Sequence, residues 1–419
     1  MRGDPQGFAA SKGRLLHGCR AFAHLLPLVA LLGGNGGMAQ QPPVQAPALA
    51  PAAPLSPAPP QPLDPAKTRD FVTAIQQAVW NRVIPGATWW VESAGQSAQG
   101  CYGFRARSPE QEAISQDTIY DLASLTKVVA TTPSIMLLVE QGRVRLDAPV
   151  STYIPQFGGQ VRDRITVRHL LTHTSGLKPG VPGNPRWSGY YSAIAWACVA
   201  FPTTAPKERF RYSDINFILL GEIVRRVSGQ TLDAYAAQHL FRPLGMHDTG
   251  FNPPLASLPR IAPTEKDENA MWLRGVVHDP TARRMGGVAG HAGLFSTAAD
   301  VARYARMVLN GGELNGVRVL RPETVKLMTS VATPSAMKEK RSPGWDMETD
   351  YSRPRGRFPA GSFGHTGFTG TCLWIDPTTR SFYVFLSSRL HEPARGADVK
   401  RLYVKMGERI SKALMPALK

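Results

Sequence analysis

A serine and a lysine three positions apart have the clearest chemical potential in this chain. They are Ser124 and Lys127 in "YDLASLTKVV", residues 120–129, at the start of an apolar run that predicts a helix. At this spacing the two side chains share one helix face, and the helix N-terminus favours negative charge at the serine. Because burial lowers the pKa of a lysine, a neutral amine could take the hydroxyl proton. We therefore expect Ser124 to be a nucleophile and Lys127 to be its base.

The same spacing occurs twice more, at Ser175 and Lys178 in "TSGLKPG" and at Ser335 and Lys338 in "PSAMKEKRSPG". Neither copy begins an apolar helix, and both lie beside Pro or Gly, which is typical of loops. We interpret both copies as loop residues without a catalytic role. The Ser-x-x-Lys spacing alone therefore does not establish a site at Ser124.

Two further motifs follow Ser124 along the chain. Tyr212-Ser213-Asp214 precedes an amphipathic helical pattern in "FRYSDINFILLGEIVRRVSG", and His365-Thr366-Gly367 lies on a predicted strand in "FGHTGFTG". In order and wide spacing, the three motifs resemble those of the serine β-lactamase and penicillin-binding protein superfamily, nearest to class C. The resemblance covers about residues 67–415. It includes three more stretches, "ITVRHLLTHTSGL" (165–177), "LFRPLGMHDTGF" (240–251) and "GGVAGHAGLFSTAADVARY" (286–304).

The resemblance implies a role for each matching residue. Ser124 would be the acylated nucleophile, Lys127 its base, and Tyr212 the relay that protonates the leaving group. An oxyanion hole would use the backbone N–H groups of Ser124 and Phe368, and loss of one such donor costs about 100–1000-fold in rate. The substrate would lie along the third motif, at His365, Thr366, Gly367 and Phe368. No metal and no cofactor is expected.

Two residues depart from the usual motifs of this superfamily. His365 stands where β-lactamases and many D,D-peptidases carry lysine, so less positive charge is offered to a substrate carboxylate near pH 7. Asp214 replaces an asparagine, and a carboxylate near Lys127 would raise the pKa of that lysine. We expect either that Asp214 is protonated or that Tyr212 takes part of the base role. Both departures favour peptidoglycan-directed or esterase-like relatives over an efficient β-lactamase.

Other histidines could contribute to the site. His291 in "GVAGHAGLF" lies in a glycine-rich segment that the resemblance places near the cleft. The favoured interpretation of His291 is a structural residue of a loop. The alternative is that His291 contacts the substrate. His169 and His173 could share a helix face, but no third ligand is spaced to join them in a metal site. The absence of Gly-x-Ser-x-Gly argues against an α/β-hydrolase.

Strand patterns at both ends of the chain and helical patterns between them predict how these motifs are positioned. "ATWWVES" and "QGCYGF" predict a hairpin, and the C-terminal "FGHTGFTGTCLWIDPTTRSFYVFLSSRL" predicts further strands, with "DPTTR" as a turn. Helices are predicted from Asp64-Pro65 and from about Val399. We expect an α/β fold of the α+β type: an antiparallel sheet of N- and C-terminal segments, flanked by helices, with an inserted helical lobe.

The expected catalytic domain comprises residues 67–419, with the α/β part at about 67–125 and 345–419 and the helical lobe at about 126–344. Residues 1–39 combine a basic head, a short apolar run and a small-residue cleavage site, which predicts a signal peptide. Residues 40–66 are rich in Pro and Ala and predict a disordered linker. The apolar run is too short for a bilayer. We therefore expect an exported protein of the periplasm or cell envelope, without a transmembrane helix in the mature chain.

Charge and cysteine content exclude several other classes of protein. The formal net charge is +17, but the basic residues are scattered, and the densest cluster, "KEKR" at 338–341, lies among loop residues. This distribution argues against nucleic-acid binding and is compatible with anionic envelope polymers. Cys101, Cys198 and Cys372 lack the spacing of a disulfide framework or zinc site, so we expect buried thiols. The resemblance places Cys101 and Cys372 on non-adjacent strands, without a bond between them.

These observations predict an exported, monomeric serine hydrolase that forms an acyl-enzyme on Ser124. The expected substrate is a small peptide, amide or ester, above all a peptidoglycan-derived peptide. The activity would be that of a D-Ala-D-Ala carboxypeptidase or a muropeptide amidase. A carboxylesterase and a class C-like β-lactamase remain open as alternatives. A non-catalytic wall-binding or β-lactam-binding protein is the alternative from another class.

Overall fold

A nine-stranded sheet organises residues 61–415, the part of the chain that this computed structural model describes. The predicted signal peptide and the first part of the predicted linker lie outside the described residues. Strand lengths vary from two to eleven residues. The strands of all sheets in the described residues, nine of which form this sheet, are β1 (Gln61–Pro62), β2 (Gly86–Ser93), β3 (Gln96–Ala106), β4 (Glu112–Ala113), β5 (Tyr120–Asp121), β6 (Gly250–Phe251), β7 (Leu294–Ser296), β8 (Glu313–Leu314), β9 (Val317–Arg318), β10 (Lys340–Arg341), β11 (Asp346–Glu348), β12 (Phe363–Thr366), β13 (Cys372–Asp376) and β14 (Ser381–Ser387).

The order of strands in this sheet is β1-β3-β2-β14-β13-β12-β11-β10, with β4 paired to β3. The N-terminal hairpin joins the C-terminal strands where β2 pairs antiparallel with β14, from Ser93↔Ser381 to Ala87↔Ser387. The predicted hairpin of β2 and β3 and the predicted turn between β13 and β14 are both confirmed. The sheet is therefore assembled from the two ends of the chain, as the sequence predicts.

Helices cover both faces of the sheet and form most of the inserted lobe. The α-helices are α1 (Pro65–Trp80), α2 (Thr132–Glu140), α3 (Val167–Leu171), α4 (Tyr190–Val199), α5 (Asp214–Ser228), α6 (Leu232–Ala236), α7 (Pro280–Arg284), α8 (Ala298–Leu309), α9 (Pro322–Thr329) and α10 (Val399–Leu414). On one face α1 and α10 bury apolar side chains such as Phe71 and Met406 against the sheet. On the other face α8 and the helical lobe share a larger core.

Residues 61–66, predicted as the end of the disordered linker, belong to the fold. Gln61 and Pro62 form β1, which pairs in parallel with β3, and Leu63 is buried in the core beneath α1. The Asp64 carboxylate accepts a hydrogen bond from the Ala66 N–H and caps α1, which begins at Pro65. Among the described residues, no helix is long and apolar enough to cross a membrane.

A small sheet inside the lobe connects three segments that are distant in sequence. Strand β7 pairs antiparallel with both β5 and β6. Strands of two or three residues are too short for alternation of polar and apolar residues to reveal them, and helical patterns dominate this region of the sequence. The small sheet matters because β5 ends at Asp121, three residues before Ser124.

The three described cysteines lie apart in the fold. Cys101 is on β3 and Cys372 on β13, with β2 and β14 between them in the sheet, whereas Cys198 is on α4. Cys198 and Cys372 are buried and Cys101 is half-buried, all as free thiols. The predicted separation of Cys101 and Cys372 is thus present in the strand order.

Candidate active site

Ser124 is held by a strained turn directly after β5. Ala123 has φ +46°, in the left-handed region that L-residues other than Gly, Asn and Asp seldom adopt. The Asp121 carboxylate stabilises this turn, since it accepts hydrogen bonds from the Ala123 N–H at 2.8 Å and from the His278 N–H at 2.7 Å. The chain then continues as a 3₁₀ turn, Ala123–Leu125, and a π turn, Lys127–Thr131, into α2. Such strain persists only where surrounding contacts enforce it.

Three oxygen acceptors surround the fully buried amine of Lys127. Its Nζ donates to Ser124 Oγ at 3.0 Å and to the His291 carbonyl at 2.9 Å. Asp214 Oδ1, at the start of α5, lies 2.8 Å from the same nitrogen. A lysine ammonium has three protons to donate, so this environment fits the charged form of the side chain.

The expectation of a lowered lysine pKa is therefore wrong for the resting site. Burial alone would lower the pKa of Lys127, but the adjacent charge of Asp214, followed by Tyr212, outweighs burial and raises the pKa above its ordinary value. The sequence analysis identified Asp214 as the residue that would act in this direction. At rest, Lys127 Nζ donates a hydrogen bond to Ser124 Oγ, and a role as base would require the ammonium to lose a proton first.

The glycine-rich segment 286–293 packs beside Lys127, but the imidazole of His291 does not line the cleft. Gly290 lies so close to α5 that an added Cβ would meet the Phe217 carbonyl oxygen at 2.0 Å. This approach brings the His291 carbonyl to Lys127. The His291 side chain is buried, with Nε2 2.9 Å from Asp279 Oδ1. The structure thus favours the loop-histidine interpretation over a substrate contact.

Tyr212 stands in an aromatic cluster next to Lys127. The Lys127 Nζ is 5.1 Å from the Tyr212 ring centroid, and the ring stacks on His173 at 4.4 Å between centroids. Tyr351 packs at 5.4 Å from Tyr212. His173 Nδ1 accepts a hydrogen bond from the Ser213 N–H at 3.1 Å. His173 therefore supports the second motif, a role that the sequence analysis missed.

His173 has no partner for metal binding in this part of the molecule. Burial, followed by the charges of Arg341 and Lys127, holds its pKa well below the usual value, so the ring is neutral. His169, four residues earlier, instead accepts a hydrogen bond from the Thr166 N–H at the start of α3. Within residues 61–415, no cluster of His, Cys, Asp or Glu side chains could hold a metal ion.

The third motif is fastened to the turn that carries Ser124. The Thr369 and Thr371 hydroxyls donate to the Asp121 and Leu122 carbonyls at 2.7 and 3.0 Å, respectively. Gly367 packs against the same turn: an added Cβ would lie 2.5 Å from the Leu122 oxygen and 2.0 Å from Thr371 Oγ1. Only glycine fits at this approach. This close packing of Gly367 brings Phe368, the expected oxyanion-hole residue, to the cleft that Ser124 lines.

His365 is a neutral residue in this site. It is buried on β12, with Nδ1 2.8 Å from the Thr366 carbonyl oxygen. Burial, followed by the positive charges of Arg341 and Lys127, holds the pKa of His365 well below its ordinary value. His365 consequently supplies no cation for a substrate carboxylate at neutral pH.

The cleft has a volume of about 490 Å³ and includes basic residues that the sequence analysis did not single out. Arg341 is the clearest case, because "KEKR" was interpreted as loop charge. Its side chain is fully buried on β10, donates to the Gly344 carbonyl at 3.0 Å and lies 3.4 Å from Asp346 Oδ1. The residues lining the cleft are Ser124, Tyr212, Arg341, Asp346, Asp350, Tyr351, Arg353, Pro354, His365, Thr366, Gly367, Phe368, Arg389, Val399, Lys400 and Tyr403.

The chain is similar to known proteins along most of its length. The family model described as "Beta-lactamase" matches residues 71–405. An Escherichia coli K12 protein named "Putative D-alanyl-D-alanine carboxypeptidase" is 34% identical over 309 residues, 66% of this chain and 70% of that protein. A Bacillus subtilis protein named "N-acetylmuramyl-L-alanine amidase" is 32% identical over 348 residues, 74% of this chain and 78% of that protein.

Solved structures show the same fold at lower identity. A class C beta-lactamase superposes with a TM-score of 0.69 at 20% identity, covering 84% of this chain and 98% of that one. A penicillin-binding protein homologue from Caulobacter crescentus gives a TM-score of 0.68 at 23% identity, covering 84% and 99% of the two chains. At these identities the similarities show the fold.

Proposed function

The chain belongs to the Beta-lactamase family of serine hydrolases, and we propose that it is an exported enzyme that cleaves peptidoglycan-derived peptides through an acyl-enzyme on Ser124. The observation that carries this proposal is the 3.0 Å contact between Ser124 Oγ and Lys127 Nζ at the cleft. The printed names of two relatives, a D-alanyl-D-alanine carboxypeptidase and an N-acetylmuramyl-L-alanine amidase, support peptidoglycan peptides as the substrate class.

In the proposed reaction, the neutral form of Lys127 takes the proton of the Ser124 hydroxyl. Ser124 Oγ then attacks the acyl carbon, and the oxyanion that forms accepts hydrogen bonds from the Ser124 and Phe368 N–H groups. The bond to the leaving amine breaks as that amine receives a proton through Tyr212. Water attacks the ester of the acyl-enzyme in the second half of the reaction, gives a proton to the same base and releases the carboxylic acid and Ser124.

The charges around the cleft support an anionic substrate. Arg353, Arg389 and Lys400 line the cleft together with Arg341, and after subtraction of the two carboxylates in the lining, Asp346 and Asp350, the four cations leave a net charge of +2. Stem peptides of peptidoglycan carry carboxylates, and a cleft of opposite charge raises the rate of their encounter. Because His365 is neutral, these residues would take over the attraction that a lysine of the third motif supplies elsewhere in the superfamily.

The first experiment tests the nucleophile by intact-mass analysis. The wild-type protein is incubated with a fluorophosphonate and, separately, with penicillin, in parallel with Ser124→Ala. We expect the wild type to gain the mass of the adduct and Ser124→Ala to remain unmodified. A Ser124→Ala protein that still acquires the adduct would contradict the assignment of the nucleophile.

The second experiment tests the substrate. A D-Ala-D-Ala peptide, a muropeptide with an intact lactyl-L-alanine amide, a short nitrophenyl ester and nitrocefin are assayed side by side with the wild type and Ser124→Ala. We expect Ser124-dependent release of D-alanine or of the stem peptide. Turnover of the ester alone would favour a carboxylesterase, and turnover of nitrocefin at the highest kcat/KM would favour a β-lactamase. Stable labelling by penicillin without any turnover would favour a binding protein.

Export is tested on the full chain. The sequence pattern of residues 1–39 predicts cleavage after Ala39. Expression in a Gram-negative host should give a mature protein that begins at Gln40 in the periplasmic fraction, as read by N-terminal mass mapping. An uncleaved chain in the cytosolic fraction would contradict export.

A further inference from the structure

The peptide unit between Gly367 and Phe368 has a specific partner in the C-terminal helix. Tyr403 is a buried residue of α10, and its hydroxyl lies 3.1 Å from the Gly367 carbonyl oxygen and 3.2 Å from that of Thr371. One phenol thus bridges both ends of the loop 367–371. Burial raises the pKa of Tyr403, so the phenol stays protonated and remains a donor.

A planar trans peptide directs its C=O and N–H to opposite sides. The carbonyl that Tyr403 holds and the N–H of Phe368 belong to one such unit. The Gly370 N–H also donates to Gly367 O, at 3.2 Å. Together with the bond from Tyr403 it fixes the direction of the Phe368 N–H away from Tyr403. A hydrogen bond to the carbonyl also polarises the N–H of the same unit, which strengthens it as a donor.

The next peptide unit is held by Arg389. Arg389 Nε donates to the Phe368 carbonyl oxygen at 2.5 Å, and its guanidinium lies 4.4 Å from the centre of the Phe368 ring. The Arg389 N–H donates to the Thr369 carbonyl at 2.8 Å. Both peptide units that flank Phe368 Cα are therefore constrained through their carbonyls, although the Phe368 side chain itself is 59% exposed.

We propose that Tyr403, supported by Arg389, is a positioning residue that orients the Phe368 N–H as an oxyanion-hole donor. The inference rests on the proposed acyl transfer at Ser124 but not on the identity of the natural substrate. Tyr403 acts through the backbone of Phe368 and does not itself receive or donate a proton in the reaction.

The test is Tyr403→Phe, which removes the hydroxyl and retains the ring in the core. We expect kcat/KM for a nitrophenyl ester to fall about 10-fold, less than the about 100–1000-fold for complete loss of an oxyanion donor. The affinity for an arylboronic acid, whose Ser124 adduct places an oxygen in the same hole, should fall by the same factor. The pH profile of the residual rate should keep the wild-type shape.

Tyr190→Phe is the matched control. It also removes a largely buried hydroxyl, which donates to Glu222 Oε2 at 2.9 Å in the helical lobe, and it should leave the ester rate and boronate affinity unchanged. If Tyr403→Phe does not fold, Arg389→Lys replaces it. That variant keeps the charge but loses the Nε donor, and the same parallel fall in rate and boronate affinity is expected.

The outcomes separate this inference from the proposed function. An ester rate and boronate affinity within about twofold of wild type would overturn the role of Tyr403. So would a lower rate at unchanged boronate affinity. A wild type that cleaves the ester but no peptide would refute the peptidoglycan substrate and leave the test of Tyr403 intact. A wild type that cleaves neither the ester nor any peptide and does not bind the boronate would refute both the proposed function and the role of Tyr403.

Discussion

Alanine at Gly367 should disable the enzyme while leaving it folded, and the size of the effect follows from the packing of this loop. The new Cβ would lie 2.0 Å from Thr371 Oγ1 and 2.5 Å from the Leu122 carbonyl oxygen, whereas ordinary contacts begin at 3.4 Å. The φ angle of Gly367 is outside the left-handed region, so backbone strain does not add to this clash. Relief of the Leu122 contact alone requires a displacement of about 1 Å, and a misplacement of this size can cost about 100-fold in rate.

We therefore expect kcat/KM for the ester to fall about 100-fold, equivalent to about 2.7 kcal/mol of transition-state stabilisation. Overpacking of this kind also lowers the free energy of unfolding by about 1–3 kcal/mol. The rate of fluorophosphonate labelling at Ser124 should fall with kcat/KM, since both reactions use the oxyanion hole. Urea unfolding measures the stability of the variant independently.

Gly180→Ala is the control, because its Cβ would meet nothing within 4 Å and its φ is also outside the left-handed region. It should match wild type in rate and stability. Combining Gly367→Ala with Thr371→Ala removes the 2.0 Å clash but keeps the Leu122 clash, so the rate should stay low. A folded Gly367→Ala protein within fivefold of the wild-type rate would refute the reasoning.

Three further predictions concern the charged and titratable groups of the site. In Asp214→Asn, loss of the carboxylate 2.8 Å from Lys127 lowers the pKa of that lysine. The acid limb of the acylation rate should then move to lower pH, and a shift to higher pH would contradict this. His365 has a pKa held well below its ordinary value by burial, so the unfolded chain binds a proton at this residue that the folded protein does not. Unfolding free energy should therefore fall as pH drops below about 6.5, and His365→Asn should reduce the slope measured by urea unfolding. Arg341→Met breaks a buried ion pair with Asp346 and should lower the free energy of unfolding by about 3–5 kcal/mol. Adding Asp346→Asn should recover part of this loss in the same urea-unfolding assay.

Local patterns in the sequence determined the elements and the motifs. The hairpin of β2 and β3 and the strands of the C-terminal segment follow from turn residues between apolar runs, which act over a few residues. The start of α1 follows from a capping aspartate and a following proline, again a local signal. Ser124, Tyr212 and the third motif were predicted from their order and spacing, which resemble those of the three motifs of the superfamily.

Tertiary structure alone decided the charge state of Lys127 and the use of several residues without a motif. Burial and a nearby carboxylate shift a lysine pKa in opposite directions, and only the 2.8 Å distance to Asp214 shows that the carboxylate prevails. Arg341 occurs in a run of charges typical of a loop, yet the fold buries it at the cleft. Tyr403 reaches Gly367 across 36 residues of sequence, and no local pattern encodes such a contact, since it arises from how α10 packs on the sheet.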